Sequence, residues 1–432
     1  MKVCVLGLWH LGTVTAACLA SGGHEVVGLD FDPQTVRQLK AGKPPLFEPG
    51  LEELIQKEMA GGRLGFSTDA PEALRNAEIL WVAYDTPVDE EDRADVEFVV
   101  NQTTRVFPHL SPGTLVFISS QLPVGTTRRL AMAFLEGYPE KRVTFGYSPE
   151  NLRLGKAIQA FTQPDRVVVG ISPVADRGPI EKLLKPFTEN IDWMSVESAE
   201  MTKHALNAFL ATSVAFINEV ASLCERVGAD AKEVERGLKS DLRIGPRAYL
   251  SPGSAFAGGT LARDLRFLTQ IGGVHQSPVL LLSSVLDSNE AHKLWTGRAL
   301  KSLLGPLRGR KVAVWGLAYK AGTDTLRRSA AVELCEWLFR EGAEVQAHDP
   351  AVRDLPPALA DKITLSLSPL ASLGGAAALV VATEWPEFRQ VSGDSVFQLM
   401  GTPLVIDPNR FLASTLGADP RVRYYTVGKA CL

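Results

Sequence analysis

The stretch that decides the fold is Lys2-Val-Cys-Val-Leu-Gly7-Leu-Trp-His-Leu-Gly12, an apolar strand that passes through a glycine turn into an Ala-rich helix. A second predicted strand, residues 25–30, ends in Asp30, about twenty residues after Gly7. This is the dinucleotide-binding arrangement, in which the helix N-terminus meets the pyrophosphate and the carboxylate binds the ribose hydroxyls, favouring NAD over NADP. Dinucleotide-binding turns of this kind usually carry the motif Gly-x-Gly-x-x-Gly, and here Trp9 replaces its middle glycine. We expect the indole of Trp9 to crowd the cofactor or to shift its pose.

The composition is that of a soluble globular protein. The chain has 432 residues, of which 45% are apolar and 22% charged, and its net charge is −4. The length predicts two or three domains, and the charge gives no reason to expect nucleic acid or an anionic membrane as partner. Five scattered cysteines have neither disulfide nor metal-ligand spacing, which indicates a reducing compartment and no metal. Since neither a signal peptide nor an apolar run of membrane-spanning length is evident, we expect a cytoplasmic protein.

Apolar runs continue to alternate with helical sequence after Asp30, as βαβ repetition requires. Further strands are predicted at residues 79–84, 114–120, 143–148 and 166–171. From Ser198 the sequence changes to long amphipathic helices. Residues 275–304 are predicted to form one long helix, of the kind that links two domains and buries a dimer interface.

A second α/β unit is predicted from Arg310 onward. A strand at residues 312–315 leads into the turn Gly316-Leu-Ala-Tyr-Lys320, and a helix and another strand follow. This turn has only the first glycine of a dinucleotide-binding motif, so it is poorly suited to bind a dinucleotide. Lys320 lies where its positive charge could bind a phosphate. We therefore expect an α/β fold with a Rossmann-like N-terminal domain (1–195), a helical dimerisation region (196–305) and a second Rossmann-like domain (306–432).

A glycine-rich stretch, Tyr249-Leu-Ser-Pro-Gly-Ser-Ala-Phe-Ala-Gly-Gly-Thr-Leu-Ala-Arg-Asp264, precedes the predicted long helix. Its glycines allow the backbone to turn tightly and approach a ligand where a Cβ would collide. Thr260 follows them, and Arg263 and Asp264 open a predicted helix. Taken alone, the stretch also fits an ordinary Gly/Ser loop that caps a helix.

This stretch resembles the catalytic loop of the nucleotide-sugar 6-dehydrogenases, the UDP-glucose and GDP-mannose dehydrogenase family, whose pattern is roughly Pro-Gly-x-Gly-Phe-Gly-Gly-Ser-Cys-Phe-Pro-Lys-Asp. Phe256, Gly258 and Asp264 match, while Thr260 and Arg263 replace the family's cysteine and lysine. Similar matches continue in order from the first strand to about residue 410. The resemblance implies NAD-dependent oxidation of the C6 hydroxyl of a UDP- or GDP-sugar.

The resemblance also implies the roles of individual residues. Catalytic residues are expected at Lys203, Asn207, Asp264, Thr260 and Glu150. Residues that bind NAD are expected at Gly7, Leu11, Gly12, Asp30, Thr86, Pro87, Ser120 and Arg327. Residues that bind the sugar nucleotide are expected at Leu152, Arg243, Tyr249, Gly253, Phe256, Gly259, Lys320 and Arg410. Arg243 corresponds to an arginine that reaches the substrate of the neighbouring subunit, so a homodimer is expected.

Three positions depart from the family's chemistry. In the family, a cysteine thiolate captures the aldehyde formed by the first oxidation, and the resulting thioester is oxidised and hydrolysed. A threonine hydroxyl, as at Thr260, needs an adjacent strong base to act as a nucleophile, and the local sequence supplies none. Gln121 replaces the family's catalytic threonine, and Leu154 replaces a glutamate that the resemblance assigns to hydrolysis. Lys203, Asn207 and Asp264 are retained.

Three hypotheses fit this combination. The first is an NAD-dependent nucleotide-sugar dehydrogenase that stops at the aldehyde or oxidises its hydrate without a covalent bond. The second is a catalytically inactive homologue that binds nucleotide sugars, suggested by Trp9, Thr260, Gln121 and Leu154 together. The third is a hydroxy-acid or sugar-acid dehydrogenase of similar architecture, which the second nucleotide-binding α/β unit disfavours.

Overall fold

The computed structural model describes residues 1–89, 93–150, 152–257, 259–400 and 403–430. The chain divides into two units, Met1–Ala205 and Leu206–Leu432. The boundary between them falls inside a 32-residue helix, Val196–Val227. The three-part division expected from the sequence stays a prediction.

Unit 1 is built on a twisted sheet flanked by helices. Its strands are β1 Lys2–Leu6, β2 Glu25–Leu29, β3 Leu64–Ser67, β4 Ile79–Val82, β5 Leu115–Ile118, β6 Thr144–Tyr147, β7 Val167–Ile171 and β8 Ile191–Met194. In the described part of unit 1 they form an eight-stranded sheet of order β3-β2-β1-β4-β5-β6-β7-β8. The β6–β7 pair is antiparallel, and the other pairs are parallel. The order of the first six strands is the Rossmann order, so the predicted α/β fold of the N-terminal part is confirmed.

The helices of unit 1 connect these strands and cover both faces of the sheet. They are α1 His10–Ser21, α2 Pro33–Lys40, α3 Leu51–Ala60, α4 Ala70–Ala73, α5 Val96–Thr104, α6 Thr126–Gly137, α7 Ala157–Thr162 and α8 Gly178–Leu184, followed by α9 Val196–Val227. Strand β1 shows why the sequence begins with an uninterrupted apolar run. Val3 and Val5 pack in one core cluster, and Cys4 and Leu6 pack in another. Because successive side chains of a strand alternate between the faces of a sheet, both faces of β1 are buried.

Unit 2 begins within α9 and continues with helices before its own sheet. These helices are α10 Ala231–Ser240, α11 Thr260–Val274, α12 Leu280–Lys293 and α13 Trp295–Leu304. The strands are β9 Lys311–Trp315, β10 Glu344–His348, β11 Thr364–Leu365, β12 Ala378–Val381, β13 Leu404–Ile406 and β14 Arg423–Tyr425. Helices α14 Ala330–Arg340, α15 Pro357–Ala360, α16 Pro369–Leu373 and α17 Gly393–Met400 lie between them in the chain. Within the described residues the strands form a parallel sheet of order β11-β10-β9-β12-β13-β14, a second Rossmann arrangement.

The prediction of one long helix over residues 275–304 is wrong. Residues 275–279 form a turn between α11 and α12, and Leu294 separates α12 from α13. The turn has a physical cause, because Gln276 has a φ of 53° and Pro278 has no backbone N–H for a helix. A Cβ on Gly272 would also lie 2.7 Å from the Val279 side chain. The long helix of the central region is instead α9.

The expectation that no apolar segment reaches membrane-spanning length also needs correction. Among the described residues, α9 is long and apolar enough to cross a membrane, judged by length and composition alone. The core helix of a globular protein passes the same test. Helix α9 carries the buried polar side chains Glu200, Lys203, His204, Asn207 and Asn218.

Candidate functional site

The turn between β1 and α1 has the backbone geometry of a phosphate-binding turn. Gly7 has a φ of 91°, and a Cβ there would lie 2.6 Å from the Tyr84 ring. A Cβ on Gly12 would lie 1.7 Å from the Gly7 carbonyl oxygen, so the helix can approach the turn this closely only with glycine at that position. Gly7 therefore allows the tight turn after β1, and Gly12 allows the close packing of α1 against that turn, as the first and third glycines of a dinucleotide-binding motif do.

Two strand-end carboxylates hold this turn. Asp30 Oδ2 accepts a hydrogen bond of 2.7 Å from the Leu8 N–H, and Asp85 Oδ2 accepts one of 3.1 Å from the Leu11 N–H. Leu11 is one of the residues predicted from the sequence to bind NAD. Because its N–H already has an acceptor in this structure, a pyrophosphate oxygen can use that donor only in exchange for Asp85.

The adjoining strand ends fit a polar cofactor. Ser120 is fully buried, and its Oγ has no hydrogen-bond partner within the described chain, so a donor and acceptor is available at the carboxyl end of β5. Thr86 is buried as well, and its Oγ1 donates to the Gln121 carbonyl oxygen at 2.7 Å. Trp9 is the N-cap residue of α1, and its side chain is 51% exposed. The cradle at Gly7 and Gly12 and the orphaned Ser120 hydroxyl are consistent with a bound dinucleotide.

Lys203 is held by the loop that follows β6. Its Nζ donates to the Glu150 carbonyl oxygen at 2.5 Å and to Glu150 Oε1 at 3.2 Å. The exposed fractions of the two side chains are 6% for Lys203 and 21% for Glu150. Glu150 Oε2 also accepts from the Leu152 N–H at 3.0 Å, which fixes the carboxylate within its own loop. The structure thus brings together three of the predicted site residues in unit 1.

Asn207 and Asp264 form a buried pair in unit 2. Asn207 Nδ2 donates a hydrogen bond to Asp264 Oδ2, and both side chains are nearly inaccessible to solvent. Asp264 lies in the second turn of α11, which begins at Thr260, an exposed residue. A carboxylate in this environment is stable only with hydrogen-bond donors, and Asn207 supplies one. The sequence predicted both residues as catalytic, and the structure places them in contact.

The glycine-rich stretch is anchored by side chains from three other segments of unit 2. Asn218 Oδ1 accepts from the Gly253 N–H at 3.0 Å. Asn409 Oδ1 accepts from the Ser254 N–H at 2.7 Å, and a Cβ on Gly253 would lie 2.2 Å from that oxygen. Gly253 is therefore required by its packing against Asn409. Gly259 has a φ of 102°, which favours glycine, and Gly258 lies outside the described residues.

Phe256 has a structural role in this stretch. Its backbone N–H donates to Asn289 Oδ1 at 3.0 Å, and its carbonyl oxygen accepts from Asn289 Nδ2 at 2.9 Å. Its ring packs with Ala208, Leu265 and Val285 in a core cluster. The contacts of Phe256 are thus those of a core residue, and its role in substrate binding stays a prediction.

The other residues predicted to bind substrate have mixed environments. Arg243 is exposed and forms an ion pair with Asp241 at 2.7 Å. Arg410 forms an ion pair with Asp230 at 2.8 Å, so its guanidinium is engaged within unit 2. Tyr249 is half exposed. The remaining predicted ligands of substrate and cofactor are Leu152, Lys320, Pro87 and Arg327, and their roles stay predictions, as do those of Arg243, Arg410 and Tyr249.

His292 gives the glycine-rich stretch a pH-dependent anchor. Its Nε2 lies 2.8 Å from the Gly253 carbonyl oxygen, and since a carbonyl can only accept, Nε2 carries the hydrogen. Burial lowers the pKa of His292 below its ordinary value of 6.5. At this group the unfolded chain therefore binds more protons just below that pH, so the contribution of His292 to the free energy of unfolding falls as the pH falls.

We expect the contribution of His292 to this loss to be at most about 1.4 kcal/mol per pH unit. A His292→Gln variant keeps an N–H donor but does not titrate, so its stability should decrease less between about pH 7 and pH 5. Urea unfolding of both proteins across this range measures the difference. His24, whose pKa is also lowered by burial, is present in both and cancels. Equal slopes for the two proteins would contradict this assignment.

The described cysteines offer no alternative nucleophile. Cys4, Cys18, Cys224 and Cys335 are all buried. Burial raises the pKa of each thiol, to about 12 for Cys18. A buried thiol whose pKa is raised is inert, because the thiolate is the reactive form. Within the described residues, no thiol therefore compensates for the threonine at position 260.

Sequence reasoning missed several residues that hold the site. His292, Asn289 and Asn409 anchor the glycine-rich stretch. Glu48 and His10 join the turn between β1 and α1, here called the cofactor turn, to the loop after β6. Glu48 lies between α2 and α3. Its partners are distant in the chain, so the sequence pattern alone could not assign them.

Comparison with known proteins agrees with this geometry. Sequence profiles of the UDP-glucose/GDP-mannose dehydrogenase family match three successive segments. The NAD binding domain matches residues 1–188, the central domain residues 197–291 and the UDP binding domain residues 313–414.

Full-length relatives give the same result. The chain is 35% identical to a UDP-glucose 6-dehydrogenase of Pseudomonas aeruginosa, over 99% of this chain and 98% of that protein. It is 33% identical to a UDP-glucose 6-dehydrogenase of Bacillus subtilis, over 99% and 93% of the two chains. Its structure is similar to that of a UDP-glucose dehydrogenase from Pyrobaculum islandicum, with a TM-score of 0.89, 30% identity and coverage of 100% and 98%.

Proposed function

The chain belongs to the UDP-glucose/GDP-mannose dehydrogenase family, and from this premise we propose that it is an NAD-dependent oxidoreductase acting on the C6 hydroxyl of a UDP-sugar. The observation that carries the proposal is the burial of Lys203, Asn207 and Asp264, each with a hydrogen-bond partner. Moving an ammonium, an amide and a carboxylate out of water costs free energy that hydrogen bonds must offset, so we take their burial together as the mark of a functional site.

In the proposed reaction, the chain's own residues bind and orient the substrate. Lys203 and Asn207, one helical turn apart in α9, donate hydrogen bonds to the C6 oxygen, where negative charge builds up as the alcohol is oxidised. Asp264 fixes the orientation of the Asn207 amide. The Gly7–Gly12 turn, Asp30, Thr86 and Ser120 would hold NAD, which would supply the hydride acceptor. The hydroxyl proton is released to solvent.

We further propose that oxidation stops at the aldehyde. The first oxidation needs the polar groups just described, whereas covalent capture needs a thiolate. Thr260 lies at the start of α11, and the described cysteines are buried, so a thioester cannot form on them. Gln121 and Leu154 stand where the resemblance expects a catalytic threonine and a hydrolytic glutamate. The product is then a UDP-sugar 6-aldehyde or its hydrate.

A Thr260→Ala variant tests this step. Because the proposed reaction makes no bond to the Thr260 oxygen, its rate of NADH formation from UDP-glucose should stay within about threefold of the wild-type rate. In an enzyme that captured the aldehyde on this hydroxyl, the same change would remove the second oxidation. A loss of half of the NADH formed per sugar would therefore contradict the proposal.

An inactive nucleotide-sugar-binding homologue remains the second candidate function. It is supported by Trp9 at the middle glycine position and by Asp85, which accepts the Leu11 hydrogen bond that the cofactor would use. Calorimetry distinguishes the two candidates. The enzyme must bind NAD, whereas tight binding of a UDP-sugar together with no binding of NAD would favour the homologue without turnover.

We also propose a cytoplasmic homodimer. Phe209, Phe216 and Leu223 are exposed and lie seven residues apart on α9, so they line one face of the helix. An exposed apolar stripe of this length is typical of a protein interface. Analytical ultracentrifugation of the purified protein measures the oligomeric state directly.

A further inference from the structure

A buried carboxylate connects the cofactor turn to the loop after β6. Glu48, between α2 and α3, is 1% exposed in its side chain, and its Oε2 lies 3.0 Å from Nε2 of His10, which is 12% exposed. His10 is the first residue of α1, the helix whose N-terminus adjoins the glycine turn. The carboxylate thus contacts the element proposed to bind the NAD pyrophosphate.

The same carboxylate holds the far end of the loop. Glu48 Oε2 accepts from the Gly155 N–H and Oε1 from the Ala157 N–H, both at 2.8 Å. These donors lie more than one hundred residues further along the chain, so the bonds fix tertiary structure. Both oxygens of the carboxylate are engaged, and its other neighbour is the His10 ring.

The near end of this loop holds Lys203. Glu150 Oε2 accepts from the Leu152 N–H, and the Glu150 carbonyl and Oε1 accept from Lys203 Nζ. The hydrogen bonds of Glu48 and of Glu150 therefore secure the two ends of one short segment, residues 152–157. Within the described part of unit 1, this segment is therefore one physical connection between the cofactor turn and the ammonium group of the proposed catalytic lysine.

We propose that Glu48 is a positioning residue that couples NAD binding at the α1 N-terminus to the placement of Lys203, through His10, the segment 152–157 and the bond from Leu152 to Glu150. The inference rests on the proposed function. A dinucleotide that orders the turn around His10 also orders Glu48, and Glu48 in turn fixes the segment whose Leu152 N–H binds the Glu150 carboxylate. Occupied cofactor therefore raises the affinity for the sugar nucleotide, and by linkage the reverse holds.

The donor and acceptor chemistry explains why a carboxylate is needed. A carboxylate has two acceptor oxygens, and both face backbone N–H groups here. In Glu48→Gln, one of these oxygens becomes an NH₂ group, so that a hydrogen-bond donor faces a backbone N–H. One backbone N–H then loses its acceptor, and the segment is released from the turn at nearly unchanged side-chain volume.

The test measures binding of UDP-glucose with and without saturating NADH, a pair that cannot react with each other. In the wild-type protein, NADH should raise the affinity for UDP-glucose at least about fivefold. In Glu48→Gln, NADH should raise the affinity for UDP-glucose less than about twofold. The matched control is Glu53→Gln, the same change at an exposed position on α3, and it should keep the wild-type factor.

A His10→Phe variant keeps the test decisive if Glu48→Gln does not fold. This change removes the contact between Glu48 and the cofactor turn but leaves both Glu48 bonds to the segment. The variant should therefore bind UDP-glucose as the wild type does when NADH is absent. NADH should no longer raise that affinity. If both variants fold and NADH still raises their affinity for UDP-glucose by the wild-type factor, the inference about Glu48 is wrong and the proposed function is unaffected. A wild-type protein that binds neither ligand would overturn the proposed function and this inference with it.

Discussion

A Lys203→Met variant is expected to lose kcat for NADH formation from UDP-glucose by about 10²–10³-fold. Lys203 places a buried ammonium group beside Glu150, and the proposed reaction builds negative charge on the C6 oxygen that this group stabilises. Methionine keeps the length and much of the volume of the side chain but donates no hydrogen bond. Steady-state kinetics with NAD and UDP-glucose measure the loss.

The control for this variant is Lys57→Met, the same change on the exposed surface of α3. It should leave kcat unchanged. Since Lys203→Met leaves Glu150 without its cationic partner, thermal unfolding must show that the variant is folded at the assay temperature. A folded Lys203→Met protein with kcat within threefold of the wild type would remove Lys203 from the mechanism.

An Asp264→Asn variant is expected to lose about 10²-fold in kcat. Its amide oxygen can still accept a hydrogen bond from Asn207, so the contact survives, but the negative charge that orients and polarises the Asn207 amide is lost. Single-turnover measurement of NADH formation separates this loss from any change in substrate binding.

The exchange variant Asn207→Asp/Asp264→Asn distinguishes catalysis from folding. It restores one carboxylate and one amide to the buried pair, with their positions exchanged. We expect stability close to that of the wild type and activity no better than that of Asp264→Asn. If the exchange restored kcat, the pair would have only a structural role, and the assignment of Asn207 and Asp264 as catalytic would be wrong.

The parts of the fold that the sequence predicted are those with local signals. Strand β1 is an uninterrupted apolar run because both of its faces are buried, and Gly7 and Gly12 mark a turn that other residues cannot form. Lys203 and Asn207 lie one helical turn apart, so the resemblance could place them together. The family resemblance then supplied the roles that spacing alone cannot give.

The parts that the sequence could not predict depend on tertiary contacts. The turn at residues 275–279 is an exception, because Gly272 and Pro278 are local helix breakers that the prediction of one long helix disregarded. The bonds from Glu48 to Gly155 and from His292 to Gly253 join segments far apart in the chain. Asp85 illustrates the same limit, because its contact with the Leu11 N–H follows from the packing of β4 beside β1.

The central claim is that the groups for hydride transfer are retained while those for covalent capture are lost. The most direct test is the ratio of NADH formed to UDP-glucose consumed, with the product identified by mass spectrometry. We expect one NADH per sugar and a product that has lost two hydrogen atoms, the 6-aldehyde, seen also as its hydrate. Two NADH per sugar and a uronic acid product would contradict the single oxidation, and an absence of NADH from every UDP-sugar tested would contradict the enzyme itself.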